Sequence, residues 1–548
     1  MRNHALLILI CLAAFLPGIA SLPPIDRDEP RFTQASRQMA ESGDYVDIRF
    51  QDVSRYKKPI GIYWLQNAAV ALSGQGGDAP IWVYRLVSAL AGIVAVCATF
   101  AAGRHLFDER TGLIAAIALA GIFGLAFEAR IAKTDATLLA MTVLAQGALA
   151  RIYLAGRSSE KPPRFAFWLF WIATGASVLV KGPIGPLVSG LTIAALAVFD
   201  RDRRWLRQLR PLPGIALMAL IVAPWIAAIS AKAGWAFWEE SVGKDMLGKV
   251  SGGQESHGFP PGYYVLTYSL MLFPFGALAL NGGLAALRRF RSDPRLMFLL
   301  AWYMPWWIVC EVMPTKLPHY VLPAYPALLL LMAWWLEGGA TDAGQAVEPR
   351  WQRWLVLAGR IGLSGATLGL AALALGLPIY FGSVSGWGIV SAVAFLVAGW
   401  LGLGLRGNLP PVRRIASATV ASIVAMGLLA GKVLPGIDQI WPSRAIAAAF
   451  AANRPCPESM LVSAGYAEPS LVFLAGTKTL LTDGSGATAK LREDACAVAA
   501  VESDNEPAFQ AAFEGSAAKP QSIGKIEGFN FSNGRAVSIN LYRLPGSR

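Results

Sequence analysis

The chain has 548 residues, 55% of them hydrophobic and only 15% charged, with a formal net charge of +13. Soluble domains carry about 25% charged residues, so a row of soluble domains, a disordered chain and a collagen-like repeat are all excluded, and a polytopic membrane protein remains. Five cysteines, with no CxxC or Cys/His spacing, exclude a disulfide framework and suggest no structural zinc site.

Stretches of fifteen or more residues with at most one charge predict thirteen transmembrane helices. They begin near Ala5, Leu86, Gly112, Ala136, Phe165, Gly182, Pro211, Gly262, Leu296, Leu317, Ile361, Gly386 and Ile415. The first, Ala5 to Leu22 after Arg2, has signal-peptide character, but Ser21-Leu22-Pro23 is a poor cleavage site, so it reads as an uncleaved helix. The uncharged run from Ile361 to Leu405 is too long for one helix and divides at Pro378 to Gly386, where Pro and Gly mark a turn. An odd number of spans puts the termini on opposite sides. With the N-terminus inside, twenty-two Lys and Arg fall in inner segments, against eight in the short outer loops and the outer end of the last span, the bias of the positive-inside rule. The net charge is therefore a topology signal spread over many loops, and nucleic acid is not a predicted partner.

This pattern predicts a polytopic α-helical membrane domain over residues 1–434 and an α/β domain over 435–548 on the outer side. The outer segment 23–84 is expected to fold as interfacial amphipathic helices, with Phe32, Met39, Ile60, Tyr63, Trp64 and Val70 as the apolar contacts. The tail alternates strand-like runs (Met460 to Ala464, Thr479 to Thr482, Ala495 to Val501) with helix-like ones (Pro469 to Leu474, Pro507 to Phe513) and ends in a hairpin-like stretch, Ile523 to Leu544. No internal repeat or inverted symmetry of the kind common in transporters is evident.

Ionisable groups near the outer ends of spans are the functional candidates, because charge at membrane depth is costly unless it meets a cavity or partner. In Asp26-Arg27-Asp28-Glu29-Pro30-Arg31-Phe32, the adjacent Asp28 and Glu29 suit a general base or hard-cation ligands. Asp28 equally suits the N-cap of a helix with Pro30 in its first turn. In Arg55 to Trp64, Lys58 suits a lipid phosphate or simple snorkelling to headgroups. Glu128, Arg130, Lys133 and Asp135 form either a solvated ion-pair loop or part of a site. Lys181-Gly182-Pro183, Ser256-His257-Gly258 and Lys316 to Pro323, which holds His319 and Tyr320, complete the outer set. A divalent cation near Glu29, with Asp135 or a histidine as further ligand, is the one cofactor these residues suggest. Cys456 and Cys496, the only cysteines of the outer domain, are expected to form a disulfide in an oxidising compartment.

Taken in order, Asp28-Glu29, Lys58-Pro59 with Tyr63-Trp64, Thr134-Asp135, Lys181-Gly182-Pro183 and Lys316-Leu317-Pro318-His319-Tyr320-Val321-Leu322-Pro323 resemble the bacterial aminoarabinose transferases that modify lipid A. These belong with the protein O-mannosyltransferases among the GT-C glycosyltransferases. The resemblance spans the whole chain. It implies a GT-C membrane enzyme of the bacterial inner membrane with a periplasmic site, a polyprenyl (undecaprenyl) phosphate-linked sugar donor, and lipid A or another envelope glycolipid as acceptor. By position, Asp28 matches the catalytic aspartate, Lys58 the lysine that holds the donor phosphate, and Tyr320 a tyrosine facing the donor. Arg31 and Lys316 would support the phosphate, while Glu29, Asp135 and Lys181 fall at motif positions. The chain departs from the family at His319, where a short residue is common, and at Phe32, where the motif has Tyr, so the sugar and acceptor stay open. A flippase of lipid-linked sugars, a protein O-glycosyltransferase and a sensor are the alternatives; only the transferases yield a glycosylated acceptor.

Overall fold

A computed structural model describes residues 2–158, 160–248, 258–339, 349–404, 409–516 and 519–545. The first ten helices hold most of the site: α1 (Arg2–Phe15), α2 (Asp28–Ser42), α3 (Gly61–Ser73), α4 (Ile81–Leu106), α5 (Glu109–Gly121), α6 (Phe123–Glu128), α7 (Asp135–Arg157), α8 (Arg164–Lys181), α9 (Ile184–Phe199) and α10 (Pro211–Ala233). All thirteen predicted stretches lie in helical segments, but among the described residues nine helices are long and apolar enough to cross a membrane. The counts part where helices are short or broken. With 14 and 16 residues, α1 and α9 are about 21 and 24 Å long at 1.5 Å per residue, against ~30 Å of hydrocarbon. The third stretch is interrupted at Ile122, whose ψ of 143° is extended. The eighth is a bent pair, Tyr263–Met271 and Gly276–Arg289, turned by 118° at a break that holds Pro274, which has no N–H to continue the helix.

Between α1 and α4 the chain leaves the bundle as α2, a short hairpin of β1 (Arg49–Phe50) and β2 (Val53–Ser54), and α3. Phe32, Ala35 and Met39 lie at helical spacing on α2 and meet Tyr56, Ile60, Tyr63 and, from α10, Trp225 and Ile229 in one buried cluster. The Trp225 indole N–H donates to Val46 O at 3.3 Å, and Lys232 pairs with Asp44. The loop is thus fastened to α10 by packing and by polar contacts at its rim.

A fully buried ion pair fixes the loop's start. The guanidinium of Arg85, on α4, binds both carboxylate oxygens of Glu29 at 2.7 Å and donates to the carbonyls of Ile19, Leu22 and Pro23 at 2.6–3.0 Å. The same carboxylate accepts the N–H groups of Ile25 and Ala132 at 2.9 and 2.8 Å.

Past Leu434 the chain builds a five-stranded sheet in the order β4 (Leu480–Thr482), β3 (Leu461–Ala464), β5 (Val498–Glu502), β7 (Arg535–Arg543), β6 (Gln521–Asn530). β3 runs parallel to β4 and β5, while β7 is antiparallel to β5 and β6. A disulfide joins Cys456 and Cys496 with Cα atoms 5.6 Å apart. This domain sits on the first loop. Gln34 Nε2 donates to Thr477 Oγ1 at 2.7 Å, Arg37 donates to Phe473 O, and the Ser470 N–H and hydroxyl donate to the Asp26 carboxylate at 2.9 and 2.5 Å.

Burial pushes Asp26 up to about 7, aided by Glu468 and Glu29 against the Ser470 hydrogen bonds. The docked state therefore binds this proton more tightly than a free aspartate at 3.8, and docking should weaken as pH rises from 3.8 through about 7. Hydrogen exchange in Pro469–Ala475, corrected for its intrinsic rate, should be faster at about pH 8 than at about pH 5.5, and Asp26→Asn should erase the difference. Equal protection at both pH values in the unaltered protein would refute this.

Candidate active site

A cavity of about 530 Å³ lies where the first loop covers the bundle. Its polar lining includes Asp28, Arg31, Arg55, Lys58, Lys133, Asp135, Lys181, His319 and Tyr320, and its apolar lining includes Leu179, Leu187, Val222 and Ile226. Asp28 opens α2 as its first helical residue; Arg27 is the N-cap and makes no side-chain cap bond. The carboxylate is thus turned to the cavity, at the helix end where the dipole favours an anion. Burial raises its pKa, but Lys133, Arg55, Lys58 and Arg31 outweigh burial and hold it below the ordinary 3.8.

Lys58 is delivered by the turn into α3. A Cβ on Gly61 would lie 2.7 Å from the Leu179 carbonyl, so only glycine lets α3 approach α8 this closely. Lys58 Nζ lies 3.5 Å from Asp245 and 2.9 Å from the Lys57 carbonyl. Arg55 stacks over the Phe32 ring at 5.2 Å, and its buried Nε has no hydrogen-bond partner among the described residues. On the far wall, α8 ends at Lys181, and Gly182 (φ 63°) turns the chain before Pro183 starts α9. Lys181 pairs with Asp135 and lies 5.1 Å over the Tyr320 ring. His319 places Nδ1 3.3 Å from Glu128 and Nε2 3.5 Å from Asp135. Lys133 lies 3.3 Å from Glu128 and 4.0 Å from Asp135. Burial lowers the Lys133 pKa, but Glu128, Asp135 and Asp28 hold it above its ordinary value.

The structure thus brings Asp28, Arg31, Lys58, Asp135, Lys181, His319 and Tyr320 to one cavity. Three predicted site residues lie elsewhere. The buried Glu29 carboxylate does not line the cavity and is taken up by Arg85 and two backbone N–H groups. Lys316 does not line the cavity: its ammonium is buried against the carbonyls of Cys310, Glu311 and Met313, where it caps the helix Pro294–Val312. Tyr63 packs against Phe32, 5.6 Å between ring centres, behind the cavity wall. His257 lies outside the described residues. Asp245 is not among the residues the sequence singles out, and Arg55, which also lines the cavity, stands three residues before Lys58 in the same motif.

Glu128, Asp135 and His319 each offer a ligand atom within 4.8 Å of the others, an arrangement open to a metal ion.

The model of the dolichyl-phosphate-mannose-protein mannosyltransferase family matches residues 57–227. An undecaprenyl phosphate-alpha-4-amino-4-deoxy-L-arabinose arabinosyl transferase of Pectobacterium carotovorum is 28% identical over 73% of this chain and 70% of its own length. A protein of the same name from Pseudomonas aeruginosa is 27% identical over the same shares. The crystal structure of ArnT from Cupriavidus metallidurans, bound to undecaprenyl phosphate, superposes with a TM-score of 0.75 at 20% identity, covering 98% of this chain and 97% of that one. The chain has the GT-C glycosyltransferase fold of ArnT. An oligosaccharyltransferase of Archaeoglobus fulgidus shares it more loosely, with a TM-score of 0.52 at 15% identity over 88% of this chain and 64% of its own.

The separation of Glu29 from the cavity is testable. Glu29→Gln leaves Arg85 buried beside a neutral amide and should cost about 3–5 kcal/mol, whereas Asp28→Asn should leave thermal unfolding within about 0.5 kcal/mol of the unaltered protein. Equal melting curves for both variants would contradict the assignment.

Proposed function

We propose that this chain transfers one sugar from a polyprenyl-phosphate donor to an envelope glycolipid of the lipid A class. The reaction takes place at the periplasmic face of the bacterial inner membrane, with the N-terminus in the cytoplasm. One observation carries the reading: the Asp28 carboxylate shares a cavity with Arg31, Arg55, Lys58 and Lys133, and apolar side chains such as Leu179, Leu187, Val222 and Ile226 line the same cavity. A phosphate with a long hydrocarbon tail matches both linings. The names of the relatives and the basic bias of the inner loops support the same donor and the same orientation.

In the transfer, the bond from the anomeric carbon to the donor phosphate oxygen breaks as the acceptor oxygen attacks from the opposite side, with inversion. Lys58 and Arg55 stabilise the charge that grows on the departing phosphate. Asp28 positions the acceptor. Its lowered pKa makes it a weak base, which suits an acceptor that is already an ionised phosphate better than a hydroxyl that must lose a proton. Tyr320, under the Lys181 ammonium, and Arg31 shape the donor side.

The Glu128, Asp135 and His319 group fits a resident dication poorly. Lys133 and Lys181 already pair with its two carboxylates, so an added double charge would face two ammonium groups. No step is routed through a metal, and exhaustive chelation should leave turnover unchanged.

Asp28→Asn should cut kcat about 100-fold with donor affinity kept. Lys58→Ala should weaken donor binding about tenfold and slow turnover as well. Because the neighbouring cations hold the Asp28 pKa below its ordinary 3.8, kcat/KM should show no acid limb from this group down to about pH 5. A folded Asp28→Asn protein with near-normal turnover would defeat the proposal.

A further inference from the structure

The inner ends of α4, α7 and α8 hold a group of cations that the transfer reaction does not use. α7 packs against both α4 and α8, and from Asp135 to Ala150 only Met141 and Leu144 on it are not buried. With Arg151 they share one face at helical spacing, so this strip is what α7 leaves open between its neighbours. Arg151 ties the three helices together. Its guanidinium donates to Gly147 O at 2.8 Å within α7 and to Ala101 O on α4 at 3.3 Å, and it lies 5.7 Å over the ring of Phe165 at the start of α8. The helical repeat then aligns the flanks: Leu90 and Val94 recur on the face of α4 that carries Ala101, and Trp168 and Ile172 on the face of α8 that carries Phe165, all of them exposed. They wall a groove whose floor is Met141 and Leu144. Arg104 and His105 follow Ala101 by one turn, are exposed, and lie within reach of the Arg151 charge. Among the described residues no carboxylate pairs with Arg104, His105 or Arg151, whereas Arg157, further along α7, is paired with Asp200.

We infer that this groove binds one anionic phospholipid of the inner leaflet, with its headgroup phosphate between Arg104 and Arg151 and an acyl chain along Met141 and Leu144. The inference is independent of the transferase chemistry and uses only the orientation of the chain, in which these helix ends face the cytoplasm. Charge and length both argue for that occupant. The Arg151 guanidinium has N–H groups beyond the two that bind helix carbonyls, and they suit a phosphate oxygen. Basic pockets between transmembrane helices on the cytoplasmic side are where anionic headgroups settle. The rise from Met141 to Arg151 is about 15 Å, half of a hydrocarbon core of ~30 Å, so the floor is one acyl chain deep. A water-soluble anion would meet the cations and leave the apolar groove unused, and a zwitterionic lipid would bring its own ammonium beside two arginines. A lipid seated there holds α8, whose outer end is Lys181, against α4 and α7.

The test titrates the full-length protein in detergent micelles with phosphatidylglycerol or phosphatidylcholine and reads bound lipid by native mass spectrometry, with no sugar donor present. One phosphatidylglycerol should bind at a concentration about tenfold lower than phosphatidylcholine requires. Arg104 is exposed, so Arg104→Gln should fold, which thermal unfolding verifies. It should weaken phosphatidylglycerol binding about tenfold, and Arg151→Gln should weaken it at least as much. Leu144→Trp keeps every charge but fills the floor, and it should weaken binding too. Arg353→Gln removes another exposed cation of the inner face, on the helix Arg350–Tyr380, and should leave binding within about twofold of the unaltered protein. Phosphatidylglycerol binding that is unchanged in Arg104→Gln and Arg151→Gln, or lost equally in Arg353→Gln, would overturn the site. Normal binding to a folded Leu144→Trp protein would overturn it as well, because attraction to surface charge alone does not use the groove. No turnover is measured, so neither outcome bears on the transferase reading.

Discussion

The arrangement of the site depends on the buried pairing of Glu29 with Arg85. Glu29 is the neighbour of Asp28, and the Ala132 N–H that it accepts is the neighbour of Lys133. One carboxylate therefore sets the positions of the cavity's acid and of one of its cations, although those residues come from segments a hundred positions apart. Arg85 adds the end of the first helical segment through the carbonyls of Ile19, Leu22 and Pro23. Such a pair contributes little net stability, because desolvating two charges offsets their attraction. Losing one partner is costly, and that asymmetry keeps the loop in a single register.

Charge balance shapes the rest of the wall. Glu128 and Asp135 are matched by Lys133 and Lys181, with His319 between the carboxylates. Arg31, Arg55 and Lys58 line the same cavity as Asp28, and Lys58 also lies near Asp245. The cavity thus holds an excess of positive charge beside apolar side chains, a combination that favours an anionic lipid and concentrates it against Asp28.

Much of this was legible in the sequence. Apolar runs gave the helices, and alternation in the tail gave strands within three residues of their observed limits, as in Met460 to Ala464 against Leu461–Ala464. The motif order placed Asp28, Lys58, Asp135, Lys181 and Tyr320 on one face, where the cavity lies. The side chains that stand apart from the cavity are instructive. Glu29 and Lys316 have the right charge at the right depth, but Glu29 is taken up by Arg85 and Ala132 far along the chain, and Lys316 folds back onto the carbonyls at the end of the preceding helix. Nothing local marks Arg85, whose partner Glu29 lies fifty-six residues earlier. The bend at Pro274 and the break at Ile122 lie inside runs whose hydropathy is uninterrupted, so composition counted whole spans there.

The central claim is chemical: the cavity joins a sugar to a second lipid. The direct measurement is mass spectrometry of an outer-leaflet lipid extract after incubation of the purified protein with polyprenyl-phosphate sugars. The account predicts an acceptor lipid heavier by one sugar residue, with one polyprenyl phosphate released for each product. A donor that crosses the bilayer intact, with no glycosylated product, would contradict it.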